Sequence, residues 1–173
     1  MIHRLIIAAL LSILAFATLH AADYPDPPKG IRHYELDSTP DFTLRDTDGE
    51  TFHLQETRGR WVFLHFWASW CGPCRREMPA IQRLSGIIRD DRLAIVLVNT
   101  AEDEDTIFSF LGEIGMDTGS LMDADGQVTE AWKPRGLPTT FLVDPQGRVR
   151  YQAIGGRDWD DAIYADFLRA LLR

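Results

Sequence analysis

Cysteine is scarce in this sequence: among 173 residues, only Cys71 and Cys74 are of this type. Any disulfide within the chain must therefore join these two residues. A crosslink that spans two intervening residues closes almost no loop, and in the chain-entropy account the stabilisation from a disulfide grows with loop length. We therefore interpret the pair as reactive rather than structural.

A second cysteine pair is missing, and so is the histidine that haem attachment requires. A structural zinc ion needs four ligands, whereas His33, His53 and His65 are scattered along the sequence. Covalent haem attachment needs histidine directly after the second cysteine, but Arg75 occupies that position. No metal or cofactor is therefore predicted, and an inert buried cysteine pair is the simplest alternative to a redox pair.

Basic clusters are absent apart from Arg75-Arg76, and the formal net charge is −8. Nucleic acid is therefore not an expected partner.

Long apolar runs are also absent, with one exception near the start, from Leu5 to Leu19. The run follows a short basic end and precedes small residues and a proline-rich stretch, which is typical of a secretory signal peptide. It is short for a membrane span, which needs about 20 apolar residues, but an uncleaved anchor stays open. Residues 1–22 are predicted to be a signal peptide or membrane anchor, 23–38 an extended leader and 39–173 one folded domain. The domain is expected in a periplasmic or other extracytoplasmic space, where disulfides persist.

The two cysteines lie between a predicted strand and a predicted helix. The apolar and aromatic run from Trp61 to Trp67 is typical of a buried strand. Gly72 and Pro73 follow, and proline is well suited to a first helical turn because its missing N–H costs nothing there. Cys71 is therefore placed at the helix N-terminus, where unpaired N–H groups and the helix dipole stabilise a thiolate. Cys74 lies one turn further in, so Cys71 is predicted to attack a partner disulfide and Cys74 to resolve the mixed disulfide.

The remaining elements predict an α/β fold in which helices flank a mixed central β-sheet. Asp48-Gly49 marks the turn of an early hairpin, and the apolar run from Leu93 to Val98 is expected to be parallel to Trp61–Trp67. The acidic run Glu102–Asp105 is interpreted as the start of a helix whose dipole it complements. The redox helix is predicted to contain Pro79 and to bury Met78, Ile81, Leu84 and Ile88. A second hairpin is predicted to pair Leu137–Val143 with Arg148–Ala153. A final helix is predicted to be capped by Asp158, and its buried face is expected to hold Trp159, Ile163, Phe167, Ala170 and Leu171.

Three sequence segments carry a family resemblance. They are Phe-Trp-Ala-Ser-Trp-Cys-Gly-Pro-Cys at 66–74, Arg-Glu-Met-Pro at 76–79 and Gly-Leu-Pro-Thr-Thr-Phe-Leu-Val-Asp at 136–144. On these segments the chain resembles the thioredoxin superfamily, and within it the secreted TlpA/ResA-like thiol–disulfide oxidoreductases. The resemblance covers nearly all of the chain after the signal segment and implies a thioredoxin-like fold with an N-terminal β-hairpin extension.

The resemblance also implies roles for individual residues. Cys71 looks like the nucleophile and Cys74 like the resolving thiol, within a motif completed by Trp70, Gly72 and Pro73. Pro138 looks like the cis-proline that faces the disulfide, beside a Leu137 backbone that would pair with a bound partner chain. Glu77 looks like the acidic residue that exchanges protons with the resolving cysteine; the alternative is a solvated helix carboxylate. Residues expected to form a small apolar docking patch are Trp70, Leu137 and the Ile154-Gly155-Gly156 turn.

His65 departs from the family pattern, since thioredoxin itself has a buried aspartate at the matching place. A buried core histidine with a satisfied hydrogen bond is one interpretation. The other is that His65 shares protons with Glu77 beneath Cys74 and, when charged, favours the thiolate.

The predicted function is the reduction of disulfides in other exported proteins by a monomeric enzyme. As in its relatives, a membrane electron donor would have to re-reduce it. A dedicated role in cytochrome c maturation is a more specific alternative, and a copper-binding module that uses both thiols as soft ligands is an alternative of another class. A peroxidase is disfavoured because the sequence has no Thr-x-x-Cys active-site pattern.

Overall fold

The computed structural model describes residues 24–36 and 39–173 of the chain. The predicted signal peptide or membrane anchor, including its apolar run 5–19, lies outside these residues. Within the described ranges, no helix has the length and apolar character needed to cross a membrane.

Six strands form one mixed sheet, and a two-stranded hairpin stands beside it. The order in the large sheet is β1-β8-β7-β4-β5-β6, and β2 pairs with β3 in the hairpin. The strands are β1 (Ile31–Leu36), β2 (Thr43–Arg45), β3 (Thr51–His53), β4 (Trp61–Trp67), β5 (Leu93–Thr100), β6 (Leu121–Asp123), β7 (Thr139–Val143) and β8 (Val149–Ile154). The helices are α1 (Gly72–Ile87), α2 (Glu104–Glu113), α3 (Gln127–Trp132) and α4 (Ala162–Leu171).

Strand β4 is the centre of the sheet, and all seven of its residues are buried. It pairs in parallel with β5, as the apolar runs predicted, and antiparallel with β7. Because side chains alternate along a strand, Phe63 and Trp67 belong to the core cluster that includes α1 and α4, whereas Val62, Leu64 and Phe66 belong to the cluster on the other face. His65 therefore shares the face of β4 that packs against the redox helix α1.

The predicted hairpins are confirmed. Strand β2 pairs antiparallel with β3, Thr43 opposite His53, and β7 pairs antiparallel with β8. Helix α1 contains Pro79 and buries Met78, Ile81 and Leu84, as expected.

The structure corrects the leader boundary. Strand β1 lies inside the predicted leader and pairs antiparallel with β8, so the folded domain begins before residue 39. Upstream of β1, the Tyr24 hydroxyl donates to Asp144 at 3.0 Å and the Tyr151 hydroxyl donates to the Pro25 carbonyl at 2.7 Å. Residues 24–36 are therefore docked on the domain rather than a free tether.

The structure also corrects the start of the last helix. Asp158 does not cap it: the Asp161 N–H donates to the Asp158 carbonyl at 2.9 Å in a preceding turn, and Asp161 is the cap residue of α4. Trp159 is fully buried but lies before the helix, and Ile163, predicted on the buried face, is 55% exposed. Trp159 instead packs edge-on against Phe63, with ring centroids 4.6 Å apart, and donates to Glu77.

Candidate active site around Cys71 and Cys74

The two cysteines form a disulfide at the start of α1. Cys71 is the cap residue of the helix, and the Cα atoms of the pair are 5.2 Å apart. Cys71 keeps 5% of its surface exposed whereas Cys74 has none, and the Cys74 N–H donates to the Cys71 sulfur at 3.3 Å. Gly72 and Pro73 form the first turn of the helix, as predicted. The outer position of Cys71 and the inner position of Cys74 agree with the expected attacking and resolving roles.

Glu102 braces the turn that leads from β4 to Cys71. The Ser69 N–H donates to Glu102 at 2.7 Å and the Ser69 hydroxyl donates to the same carboxylate. The Asn99 amide, at the end of β5, also donates to it at 2.7 Å. Sequence reasoning treated Glu102 only as part of an acidic run at a helix start, and no sequence signal pointed to these three contacts.

Pro138 lies at the end of the sheet where β4 turns toward the cysteines. The Leu137–Pro138 peptide bond is cis. The next residue, Thr139, pairs with Phe66 of β4 and with Ile154 of β8, and the Pro138 carbonyl accepts from the Gly155 N–H at 2.9 Å. The ends of β4, β7 and β8 therefore lie together at one end of the sheet, where the turn that leads to Cys71 begins.

Apolar side chains at this end of the molecule are open to solvent. Trp70 is 69% exposed and Ile154 is 43% exposed, while Leu137 is half-buried. Trp70 and Ile154 of the predicted docking patch are thus accessible to solvent, and Leu137 is partly accessible.

Glu77 is buried one turn after Cys74. Only 2% of the residue is exposed, so the alternative of a solvated helix carboxylate is wrong. The Trp159 indole N–H donates to its Oε1, and the Arg157 backbone N–H donates to its Oε2 at 3.2 Å. Burial raises the pKa of Glu77 to about 7, against the lowering effects of the Trp159 hydrogen bond and the Arg157 charge. A carboxyl with this pKa can take up and release a proton near neutral pH.

His65 lies beside Glu77 in the fully buried layer between β4 and α1. Its Nδ1 is 3.9 Å from Glu77 Oε1 and 2.9 Å from the Thr140 hydroxyl. Burial lowers the pKa of His65 to about 3, and the positive charge of Arg157 acts in the same direction. The Thr140 hydrogen bond fits the interpretation of His65 as a buried core histidine. The predicted proximity to Glu77 is confirmed, but a His65 of this pKa is not charged near neutral pH.

A cleft of about 450 Å³ gives access to Glu77. Gly156 forms one wall, and a Cβ atom added there would lie 3.1 Å from the Pro73 carbonyl and 3.2 Å from Glu77 Oε2. Glycine therefore allows the segment after β8 to approach the start of α1. The cleft is lined by Pro73, Arg76, Glu77, Gly156, Arg157 and Asp158. Sequence reasoning missed Arg157, and it placed Trp159 in a helix, because both contacts with Glu77 span about eighty residues of sequence.

Comparison with known proteins shows the family of the chain. Residues 36–152 match the AhpC/TSA family. The thiol–disulfide oxidoreductase ResA of Geobacillus thermodenitrificans is 34% identical over 148 residues, which cover 85% of each chain. The ResA of Bacillus subtilis is 36% identical over 115 residues, which cover 66% of this chain and 64% of that protein. A Chlorobium tepidum protein described as a thiol:disulfide interchange protein DsbE has a similar solved structure, with a TM-score of 0.70, 32% identity and coverage of 81% of this chain and 99% of the other. The chain therefore belongs to the AhpC/TSA family and is a thioredoxin-like thiol–disulfide oxidoreductase.

Proposed function

We propose that the protein reduces disulfides in other exported proteins, with Cys71 as the attacking thiol and Cys74 as the resolving thiol. The observation that carries this proposal is the position of the pair: Cys71 caps α1 and keeps 5% of its surface exposed, whereas Cys74 is fully buried. A helix N-terminus stabilises a thiolate, so the outer cysteine is the better nucleophile.

The reaction is a two-step exchange. The Cys71 thiolate attacks one sulfur of a substrate disulfide, so that a Cys71–substrate disulfide forms and one substrate thiolate leaves. The Cys74 thiolate then attacks the Cys71 sulfur, which forms the Cys71–Cys74 disulfide and releases the second substrate thiolate. The substrate gains two electrons and two protons, and the protein loses both.

Glu77 is proposed to take the proton from Cys74 in the second step. The two residues are three apart on α1 and so share one face of the helix. With a pKa near 7, the Glu77 carboxyl is divided between its two protonation states at neutral pH, which suits a group that must accept a proton and later return it. His65 lies within 3.9 Å of the carboxyl and, because burial lowers its pKa to about 3, stays a neutral imidazole that leaves the proton on Glu77.

Substrate binding is proposed to use the exposed surface beside Cys71. Trp70 and Ile154 offer apolar contact area, and the backbone at Leu137, before Pro138, would pair with an extended substrate segment. Main-chain pairing of this kind is tolerant of sequence, which suits an enzyme with several protein substrates.

The proposed setting is an extracytoplasmic space, to which residues 1–22 would direct the chain. The protein acts there as a monomer and is re-reduced by a membrane electron donor, since an oxidising space would otherwise leave the disulfide formed.

Trapping of the mixed disulfide tests the assignment of the two cysteines. Reduced Cys74→Ser protein, incubated with insulin as a model disulfide substrate, should accumulate a covalent complex that dithiothreitol releases. Cys71→Ser protein should accumulate none, because the remaining thiol is buried. A complex that forms with Cys71→Ser and not with Cys74→Ser would contradict the proposal.

A further inference from the structure

Both donors to the Glu77 carboxyl come from one short segment. The Arg157 N–H donates to Oε2 at 3.2 Å, and the Trp159 indole N–H donates to Oε1. These residues lie between β8 and α4, where the backbone forms neither helix nor strand. Something other than regular secondary structure must therefore hold the two donors in place.

The Arg157 side chain holds the two donors in place. Its guanidinium donates to the Gly30 carbonyl at 2.8 Å and to the Ile154 and Gly155 carbonyls, both at 3.1 Å. It also lies over the Trp159 ring, 5.0 Å from the ring centroid. One planar group thus joins the end of β8, the ring of Trp159 and the chain just before β1.

Gly30 leaves room for this guanidinium because it has no side chain. Its φ of +89° lies in the left-handed region that favours glycine. A Cβ atom at this position would lie 2.8 Å from Arg157 Nη1, closer than real Cβ contacts come. The Tyr164 hydroxyl, from α4, donates to the neighbouring Lys29 carbonyl at 3.3 Å, so the same stretch of chain is held from two sides.

We propose that Arg157 is a positioning residue for Glu77: its guanidinium, anchored on the Gly30 carbonyl, holds the 154–159 segment so that both donors reach the Glu77 carboxyl. The segment before β1 is thereby part of the active-site support. This inference rests on the proposed proton-transfer role of Glu77 for its meaning, but the contacts themselves do not involve the cysteines.

The charged and titratable groups around Glu77 determine the direction of the expected effect. His65 faces it from β4, Arg157 and Asp158 face it from the segment before α4, and Cys74 and Arg76 lie near it on α1. Burial raises the pKa of Glu77, and both donors and the Arg157 charge lower it, whereas Asp158 raises it. Loss of the Arg157 side chain therefore removes lowering influences and should raise the pKa of Glu77 further.

The test is the titration of Glu77 in the oxidised protein, followed by NMR of its side-chain carbonyl carbon and of the Trp159 indole proton. In Arg157→Ala, the Glu77 midpoint should move to higher pH by about one pH unit, the lower end of the effect of a nearby opposite charge. The indole proton should also lose the shift that reports its hydrogen bond. Arg157→Lys should move the midpoint in the same direction, since an ammonium cannot bridge three carbonyls.

A pair of glycine variants separates positioning from general loosening of the fold. Gly30→Ala should reproduce the shift of the Glu77 midpoint because its Cβ displaces the guanidinium. Gly59→Ala is the matched control: Gly59 has a similar φ of +87° but no atom within 4 Å of an added Cβ. It should leave the Glu77 midpoint unchanged.

Two results would overturn the proposal. One is a Glu77 titration midpoint in Arg157→Ala or Arg157→Lys that equals that of wild type. The other is a midpoint shift of equal size in Gly30→Ala and Gly59→Ala. These titrations do not depend on thiol exchange. If the trapping experiment failed while Glu77 shifted as expected, the cysteine assignment would be wrong and the positioning role of Arg157 would stand.

Discussion

Glu77 and His65 are two buried neighbours whose pKa values move in opposite directions. Burial favours the uncharged form of each group, so it raises the pKa of Glu77 to about 7 and lowers that of His65 to about 3. Below pH 7 the pair therefore keeps its proton on the carboxyl and the imidazole stays neutral. Above pH 7 the carboxyl loses this proton, and the buried carboxylate can then accept the proton of the neighbouring Cys74 thiol.

Replacement of Glu77 by glutamine tests the role of that proton. In wild type, the rate at which Cys74 resolves a mixed disulfide should rise through pH 7 as Glu77 loses its proton. In Glu77→Gln this rise should disappear, and the rate at pH 7 should fall by about 100-fold, the lower end of general acid–base effects. Stopped-flow measurement of thiol release gives the rate. Glu104→Gln, at an exposed position in α2, is the control, and an unchanged pH profile in Glu77→Gln would contradict the role.

Replacement of His65 by asparagine tests whether the His65 imidazole stays uncharged in the folded protein. Between about pH 3 and 6.5 the unfolded chain protonates His65 and the folded chain does not, so stability should fall on acidification by up to about 1.4 kcal/mol per pH unit. Glu77 acts with the opposite sign between pH 4.5 and 7, since only the folded state then holds its proton. That contribution is common to both proteins.

The free energy of unfolding of His65→Asn should therefore fall less steeply than that of wild type from pH 6.5 to pH 4. Denaturant titrations at several pH values measure both slopes. Equal slopes would contradict the prediction, because they would mean that burial does not lower the pKa of His65 on folding.

The sequence predicted the positions of some site residues and missed the contacts of others. The position of Cys71 and Cys74 at a helix start was predictable from the local residues, whereas the cis bond before Pro138 was expected only from the family resemblance. The roles of Arg157 and Trp159 were not predictable, because each acts on Glu77 through a contact that exists only after β8 and α1 have packed together. The charge state of His65 stayed open at the level of the sequence, since the depth of burial that lowers its pKa is not visible there.

Among the elements, the strongly apolar ones were predicted well and the short or polar ones were missed. Strand β4 and its parallel partner β5 follow from continuous apolar runs. Strand β1 has a mostly exposed surface, as suits an edge strand, so its hydrophobic pattern is weak. Strand β6 has three residues and helix α3 has six, which is too short for a periodic signal.

Glu102, in the connection between β5 and α2, is expected to stabilise the turn before Cys71. Glu102 accepts hydrogen bonds from Ser69 and Asn99, so Glu102→Ala leaves those partly buried donors unpaired. The expected loss is about 1–3 kcal/mol of unfolding free energy, measured by denaturant titration. Glu104→Ala, two residues on and exposed, should change the stability far less. Equal losses in the two variants would show that Glu102 does not brace the cysteine turn.

At the scale of the whole molecule, the chain before the hairpin is part of the fold. Ile31 is buried in the main core cluster, and Tyr24 packs edge-on against Trp61 with ring centroids 5.6 Å apart. The proline-rich composition of residues 23–30 suggested a tether because composition does not show what such a segment docks against.

Two shortened chains test this conclusion. A chain that begins at Tyr24 keeps every contact described here and should be as stable as the longer protein. A chain that begins at Thr39, the boundary predicted from the sequence, loses β1 and should be less stable by more than about 3 kcal/mol, since burial of Ile31 alone contributes about 1.5–3 kcal/mol. Thermal or denaturant unfolding compares them, and equal stability would restore the predicted boundary.

The reduction potential of the Cys71–Cys74 couple tests the central claim, that the protein is a reductant, most directly. The purified protein would be equilibrated in thiol–disulfide buffers, and Trp67 and Trp70 fluorescence would report the oxidised fraction. We expect a potential close to that of thioredoxin, about −270 mV. A value close to that of DsbA, about −120 mV, would contradict it, because such a couple donates disulfides instead of reducing them.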